Sequence, residues 1–157
     1  QGIDNTKQIF AVVSYSGQVF IKNVHKGTDL GWKELTKTQS DAGWIPYQLI
    51  NGALSNTAYK NTDENGFDCA YKTITNGSIV TKKLRINGSN ITPGQVIAQL
   101  PTNFAKSTQS FPVKTPNVTN NACVVIKPNG EVSFYVSNSD NSWNETGYAY
   151  TELTWHD

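Results

Sequence analysis

Apolar side chains recur at every second position along much of this chain. In EVSFYVS, Val132, Phe134 and Val136 share one side; in VTKKLRI, Val80, Leu84 and Ile86 do the same; in AYTELTW, Ala149, Leu153 and Trp155 oppose Tyr148, Tyr150 and Glu152. A period of two marks a strand with one buried face, because successive side chains of a pleated backbone point to opposite sides. No stretch carries the pattern of an amphipathic helix three turns long. Turn signals separate the runs: Ser16-Gly17, Asn51-Gly52, Asn65-Gly66, Asn76-Gly77, Asn87-Gly88, Pro93-Gly94 and Asn129-Gly130. Asn and Gly both tolerate the positive φ that a type I′ turn demands. Lys127-Pro128-Asn129-Gly130 is therefore expected at the tip of a hairpin that pairs residues 122–126 with 131–137. Short strands joined by such turns predict an all-β chain, an antiparallel β-sandwich of jelly-roll-like form.

At 157 residues the length suits one domain, since single cores commonly span roughly 100 to 200 residues. Residues 1–43 differ from the rest: QIFAVVSY and QVFIKNV read as a strand pair, followed by the long loop HKGTDLGWKELTKTQSDAG. That loop is either a linker or an excursion from one sandwich. So little strand buries no core of its own, and the expectation is a single domain over 1–157 with the sandwich in 44–157.

Thirteen basic and twelve acidic residues leave a net charge of +1, with no block of like charge. The nearest to one is Lys82-Lys83-Leu84-Arg85, where Lys83 and Arg85 share the strand face opposite Leu84. This reads as a solvated face, too narrow for the basic footprint of a nucleic-acid binder. No apolar stretch approaches the roughly 20 residues of a bilayer span, so no membrane partner is expected. QGIDNTKQ at the start has neither a signal-peptide core nor an initiator Met and reads as the edge of an excised domain or mature product. Cys69 and Cys123 each lie in an apolar run and are expected as packed free thiols rather than a disulfide.

His25 and His156 stand apart, and no zinc, phosphate-loop or Cys-x-x-Cys spacing is present, so neither metal nor cofactor is expected. DENGFD gathers Asp63, Glu64, Asn65 and Asp68 but lacks the spacing of a calcium loop; it reads as a solvated Asn-Gly turn. The richest loop is SNSDNSWNETGYAY. A sugar site needs a flat aromatic face and planar polar groups that bond neighbouring hydroxyls. Trp143 is the expected platform; Asn138, Asp140, Asn141, Asn144 and Glu145 are the expected polar partners, and Tyr148 extends the surface. The alternative is that Trp143 closes the end of the core. Trp32 is a second expected contact, whereas Trp44 is expected in the core. Asp140 and Glu145 are the one carboxylate pair beside the platform, but a shared loop is a poor way to fix the spacing that glycoside hydrolysis requires.

In order along the chain stand GWIPYQLINGA, LRINGSNITPGQVIAQLPTNFAKSTQSFPV, ACVVIKPNGEVSFYVSNSDNSW and a last strand, YAYTELTW. This frame resembles the carbohydrate-binding domains at the tail tips of phages that infect Gram-positive bacteria, found in receptor-binding, accessory baseplate and distal tail proteins. The shared features are a Trp and an Asn-Gly near the start, a G-x-x-I-A-x-L-P strand with an F-P-V return, and an I-x-P-N-G-x-V hairpin. The resemblance covers roughly residues 43–157, and VFIKNVHKGTDLGWKEL is similar to the segment that often precedes such domains. The polar 138–147 loop has no fixed counterpart there. The resemblance implies a non-catalytic module in the virion tail tip, assembled in the bacterial cytoplasm, with cell-surface polysaccharide as ligand and other phage tail proteins as neighbours. The alternatives are a structural module of the baseplate and, behind it, a glycan-degrading domain.

Overall fold

The computed structural model describes residues 2–4, 6–35, 39–113, 115, 122–137, 143–144 and 146–157, the first three through their backbone alone. Among these residues there is no helix, and the sheets are antiparallel. The chain forms two compact units, residues 1–40 and 41–157.

The first unit is a four-stranded meander of β1 (Gly2–Asp4), β2 (Lys7–Val13), β3 (Val19–His25) and β4 (Thr28–Glu34), paired in that order. Strand β4 occupies what reads in the sequence as loop. The turn that creates it is Lys26-Gly27, with φ of 50° and 76°, so His25 pairs with Thr28 across a two-residue connection. Lys in a left-handed conformation gives no Asn-Gly signal. A register shift between Lys22 and Val24 further hides the alternation of TDLGWKE.

The second unit contains β5 (Ser40–Asp41) from its Asp41 onward, β6 (Ile45–Pro46), β7 (Leu54–Ser55), β8 (Ala70–Asn76), β9 (Ile79–Ser89), β10 (Val96–Gln99), β11 (Gln109–Val113), β12 (Ala122–Ile126), β13 (Glu131–Val136) and β14 (Tyr148–His156). One sheet runs β14-β9-β8-β5, with β6 beside β8 and β7 beside β9; the other runs β10-β13-β12-β11. Leu84 and Ile86 of β9 and Ala149, Leu153 and Trp155 of β14 share one core with Ile97, Ala98, Val124, Ile126, Val132 and Phe134 of the opposing sheet. This is an antiparallel β-sandwich. In the second sheet β11, β12 and β13 follow one another and β10 lies beside the last, a Greek-key order. The connection from β10 to β11 must cross the end of the sandwich, and it buries Phe104 and Ala105 there. Phe104 stands edge-on to Tyr71 and Trp155, at 5.0 and 5.5 Å between centroids.

Local chemistry explains two departures from simple alternation. The β12–β13 hairpin forms as expected, but its turn is not type I′: only Gly130 has positive φ, at 92°. Pro128 stands at the first central position, and its ring holds φ negative. A bulge between Val96 and Ala98 shifts the phase of β10, so the adjacent residues Ile97 and Ala98 are both buried. Pro112, which lacks an N–H, is accommodated on the edge strand β11. Cys69 and Cys123 are both free, the first buried and the second half-buried.

Candidate functional site

The long β9–β14 pair has two unlike faces. Its inner face is core. On its outer face Arg85 stands opposite Glu152, and Asn87 opposite Tyr150, as the alternation of both strands dictates. Arg85 Nε donates to Glu152 Oε2 at 2.7 Å, and Lys83 Nζ reaches the other carboxylate oxygen at 2.9 Å. Burial by itself would push the Glu152 carboxyl up, but the hydrogen bonds and charges of Lys83 and Arg85 outweigh it and hold the group below its ordinary value.

Residues 56–69 form a layer over this face, and Asn87 pins it. That side chain is fully buried; its Nδ2 donates to the carbonyls of Phe67 at 2.9 Å and Ala58 at 3.2 Å. The Asn56 N–H bonds the Asn87 carbonyl at 3.0 Å, and the Asn87 N–H meets Cys69 Sγ at 3.3 Å. Burial pushes the Cys69 thiol up, so it serves here as a neutral packing group. Pinning Phe67 sets its ring flat on Tyr150, 4.1 Å between centroids and 15° between planes. Tyr59 leans on the other ring of this pair at 4.7 Å from Tyr150.

Arg85 extends the stack. Its guanidinium lies 3.8 Å from the Trp44 ring centroid and 4.8 Å from that of Phe67, and Lys72 approaches Trp44 at 5.5 Å while ion-paired with Asp41 at 2.6 Å. Beside the stack opens a groove of about 390 Å³, whose walls include Trp44, Pro46, Phe67, Arg85, Asn65 and Asp68. The groove thus joins flat apolar walls to a guanidinium, a planar amide and a carboxylate. Such a set suits a ligand with an apolar face and hydroxyls along its edge. Asp68 is paired with Lys60 at 2.5 Å.

Of the residues expected from the sequence, Trp32, Trp143, Asn144 and Tyr148 lie among the described residues. Trp143 is half-buried and packed on the core: its ring lies 4.8 Å from Phe134 and its Nε1–H donates to the Ile91 carbonyl at 2.7 Å. Asn144 accepts bonds from the Thr146 N–H and hydroxyl, an Asx-type turn. Asn138, Asp140, Asn141 and Glu145 lie outside the described residues. Tyr148 projects from the outer face as expected, where burial and a hydrogen bond with Tyr59 push its hydroxyl up. Trp32 belongs to the N-terminal unit and is about half exposed.

Trp44 departs from its expected place. Expected in the core, it stands on the outer face because β6 pairs Pro46 with Ala70 and Ile45 with Tyr71, which puts Trp44 and Pro46 on the side of Arg85. DENGFD, read as a plain solvated turn, supplies Asn65 and Asp68 to the groove. The outward parity of Arg85 was legible; its aromatic partners come from 18 and 41 positions away and leave no local signal. Comparison with protein-family models, with curated proteins and with solved structures finds no match to this chain.

Proposed function

We propose that this chain is a non-catalytic carbohydrate-binding module of a phage tail, which attaches the virion to host cell-wall polysaccharide through the outer-face groove. The observation that carries the binding reading is the groove itself, where Trp44 and Phe67 flank Arg85 with Asn65 and Asp68 at hand. The phage-tail setting and the jelly-roll kinship rest on the sequence resemblance over residues 43–157. The one carboxylate in the described lining of the groove is Asp68, where glycoside hydrolysis ordinarily uses a pair, which favours binding over hydrolysis. A single shallow groove binds weakly, and copies arrayed on one particle would raise the avidity through effective concentration.

The test uses the chain fused to a fluorescent protein on Gram-positive cells, before and after chemical removal of wall polysaccharide. Labelling should vanish with the polysaccharide. Trp44→Ala should weaken binding to the extracted polysaccharide by about tenfold or more while leaving the melting temperature within a few degrees. Labelling that survives stripping, or full affinity in a folded Trp44→Ala, would reject the reading. The exposed apolar N-terminal sheet favours a second reading, an assembly module of the baseplate; that reading expects no labelling of cells at all.

A further inference from the structure

Arg85 is held firmly and yet keeps most of its donors free. A guanidinium carries five N–H groups, and here Nε donates to Glu152 Oε2 at 2.7 Å. Among the described residues no acceptor meets the two Nη groups. The side chain is fixed all the same. Its Cζ lies 3.8 Å from the Trp44 ring centroid and 4.8 Å from that of Phe67, and its backbone carbonyl accepts the Tyr47 hydroxyl at 2.9 Å. An arginine so held loses little further freedom when it grips a ligand, so its fork of Nη donors is preorganised. Arg85 forms part of the groove wall, whereas Glu152, which occupies Nε, is not in the described lining. The charges agree. Asp68 pairs with Lys60 at 2.5 Å, Asp41 with Lys72 at 2.6 Å, and Glu152 with both Lys83 and Arg85. Three carboxylates therefore meet four cations, which leaves one positive charge over. Asp63 and Glu64 of the same layer lie outside the groove lining.

We propose that the groove selects a sugar that carries a carboxylate, a uronic acid, with the carboxylate seated on the Nη fork of Arg85. This rests on the reading of the groove as a saccharide site and narrows the class of saccharide. The two oxygens of a carboxylate match the two Nη donors with parallel, charge-assisted bonds. A planar anion laid in the plane of the guanidinium also clears the Trp44 ring stacked on that plane. A phosphate meets the fork as well, but two of its oxygens stand out of the plane, one of them on the Trp44 side. Asp68 in the wall further disfavours a doubly charged group. With the carboxylate on Arg85, the Asn65 amide and the Asp68 carboxylate remain for the ring hydroxyls.

The test is an NMR titration of the isotope-labelled whole chain, at one ionic strength, with glucuronate, with its uncharged methyl ester and with glucose 6-phosphate. Glucuronate and the ester share a ring and differ only at the carboxylate. Glucuronate should bind about tenfold more tightly than the ester, with the largest shifts at the Trp44 indole N–H and the Arg85 side-chain N–H groups. Arg85→Lys keeps the charge but not the fork, and should bring the two affinities within about threefold of each other. The ratio in the parent protein needs no variant, so it stands even where Arg85→Lys fails to fold. Equal affinities in the parent would overturn the uronate while leaving the saccharide reading in place. Tighter binding of glucose 6-phosphate than of glucuronate would overturn it in favour of phosphate, and a ratio kept in a folded Arg85→Lys would remove the anion from the fork. No shift at the groove with any of the three would overturn it too, and the labelling of cells then decides the saccharide reading separately.

Discussion

Trp143 stands among Asn, Ser and Glu in the chain but against Phe134 in space, with its indole N–H bound to the Ile91 carbonyl. Its neighbours in sequence therefore say little about its neighbours in the fold. Gly147 belongs to the same contact: a Cβ there would lie 2.9 Å from the indole ring. Trp143→Ala should cost about 2 to 4 kcal/mol in urea unfolding, below the full range for a wholly buried ring; a cost under about 1 kcal/mol would mean the ring adds nothing to the core. Glu152 supplies a second test. Its folded-state pKa lies below the ordinary 4.5, so the folded protein binds this proton less tightly than the unfolded chain does. The stabilisation is complete above the unfolded value and is lost as pH falls through the lower folded one. Melting temperature followed from pH 6 down to about pH 3 should fall less steeply in Glu152→Gln than in the parent. An identical slope would show that the ion pairs contribute nothing.

At the scale of elements, the hairpin of β12 and β13 illustrates how one residue meets two constraints. Gly130 has φ of +92°, and a Cβ added to it would lie 2.1 Å from the Leu100 carbonyl oxygen. The close approach exists because the Leu100 N–H bonds the Gly130 carbonyl at 2.8 Å, which ties β10 to the hairpin. Gly94 also has positive φ, +83°, in the turn closed by the Gln95 N–H and Thr92 carbonyl, but open space surrounds it. Chemical denaturation should separate the two: Gly94→Ala should cost about 1 kcal/mol from backbone strain, and Gly130→Ala more than about 2 kcal/mol because the carbonyl must also move. Equal costs would show that the β10 contact yields freely. The alternation of β9, β13 and β14 was legible because each has one core face. That of β10 and β4 was not, since a bulge and a Lys-Gly turn carry no strong residue signature.

For the whole molecule, the division at residue 40 has an energetic meaning. Among the described residues, the buried core cluster lies within residues 53–155, inside the second unit. A chain of residues 41–157 should therefore fold, with β-type circular dichroism and a melting temperature within about 5 °C of the full chain, since a shift of that size corresponds to roughly 1 kcal/mol or less. A truncated chain that fails to melt cooperatively would show that the sandwich depends on the first forty residues.

The sequence by itself determined what depends on neighbours along the chain: the strand period, the hairpin tips, the outward parity of Lys83, Arg85, Tyr148 and Tyr150, and hence an all-β sandwich. Only the tertiary structure decided which aromatic residue is core and which is surface. Trp143 packs on the core, whereas Trp44 stands on the outer face because β6 pairs with β8. The groove shows the same dependence. Trp44, Asn65, Phe67, Asp68 and Arg85 meet there because a buried Asn87 holds the 56–69 layer across β9 and β14. Hydrogen bonds between residues 20 and 29 positions apart arise only once the sheet exists to support them.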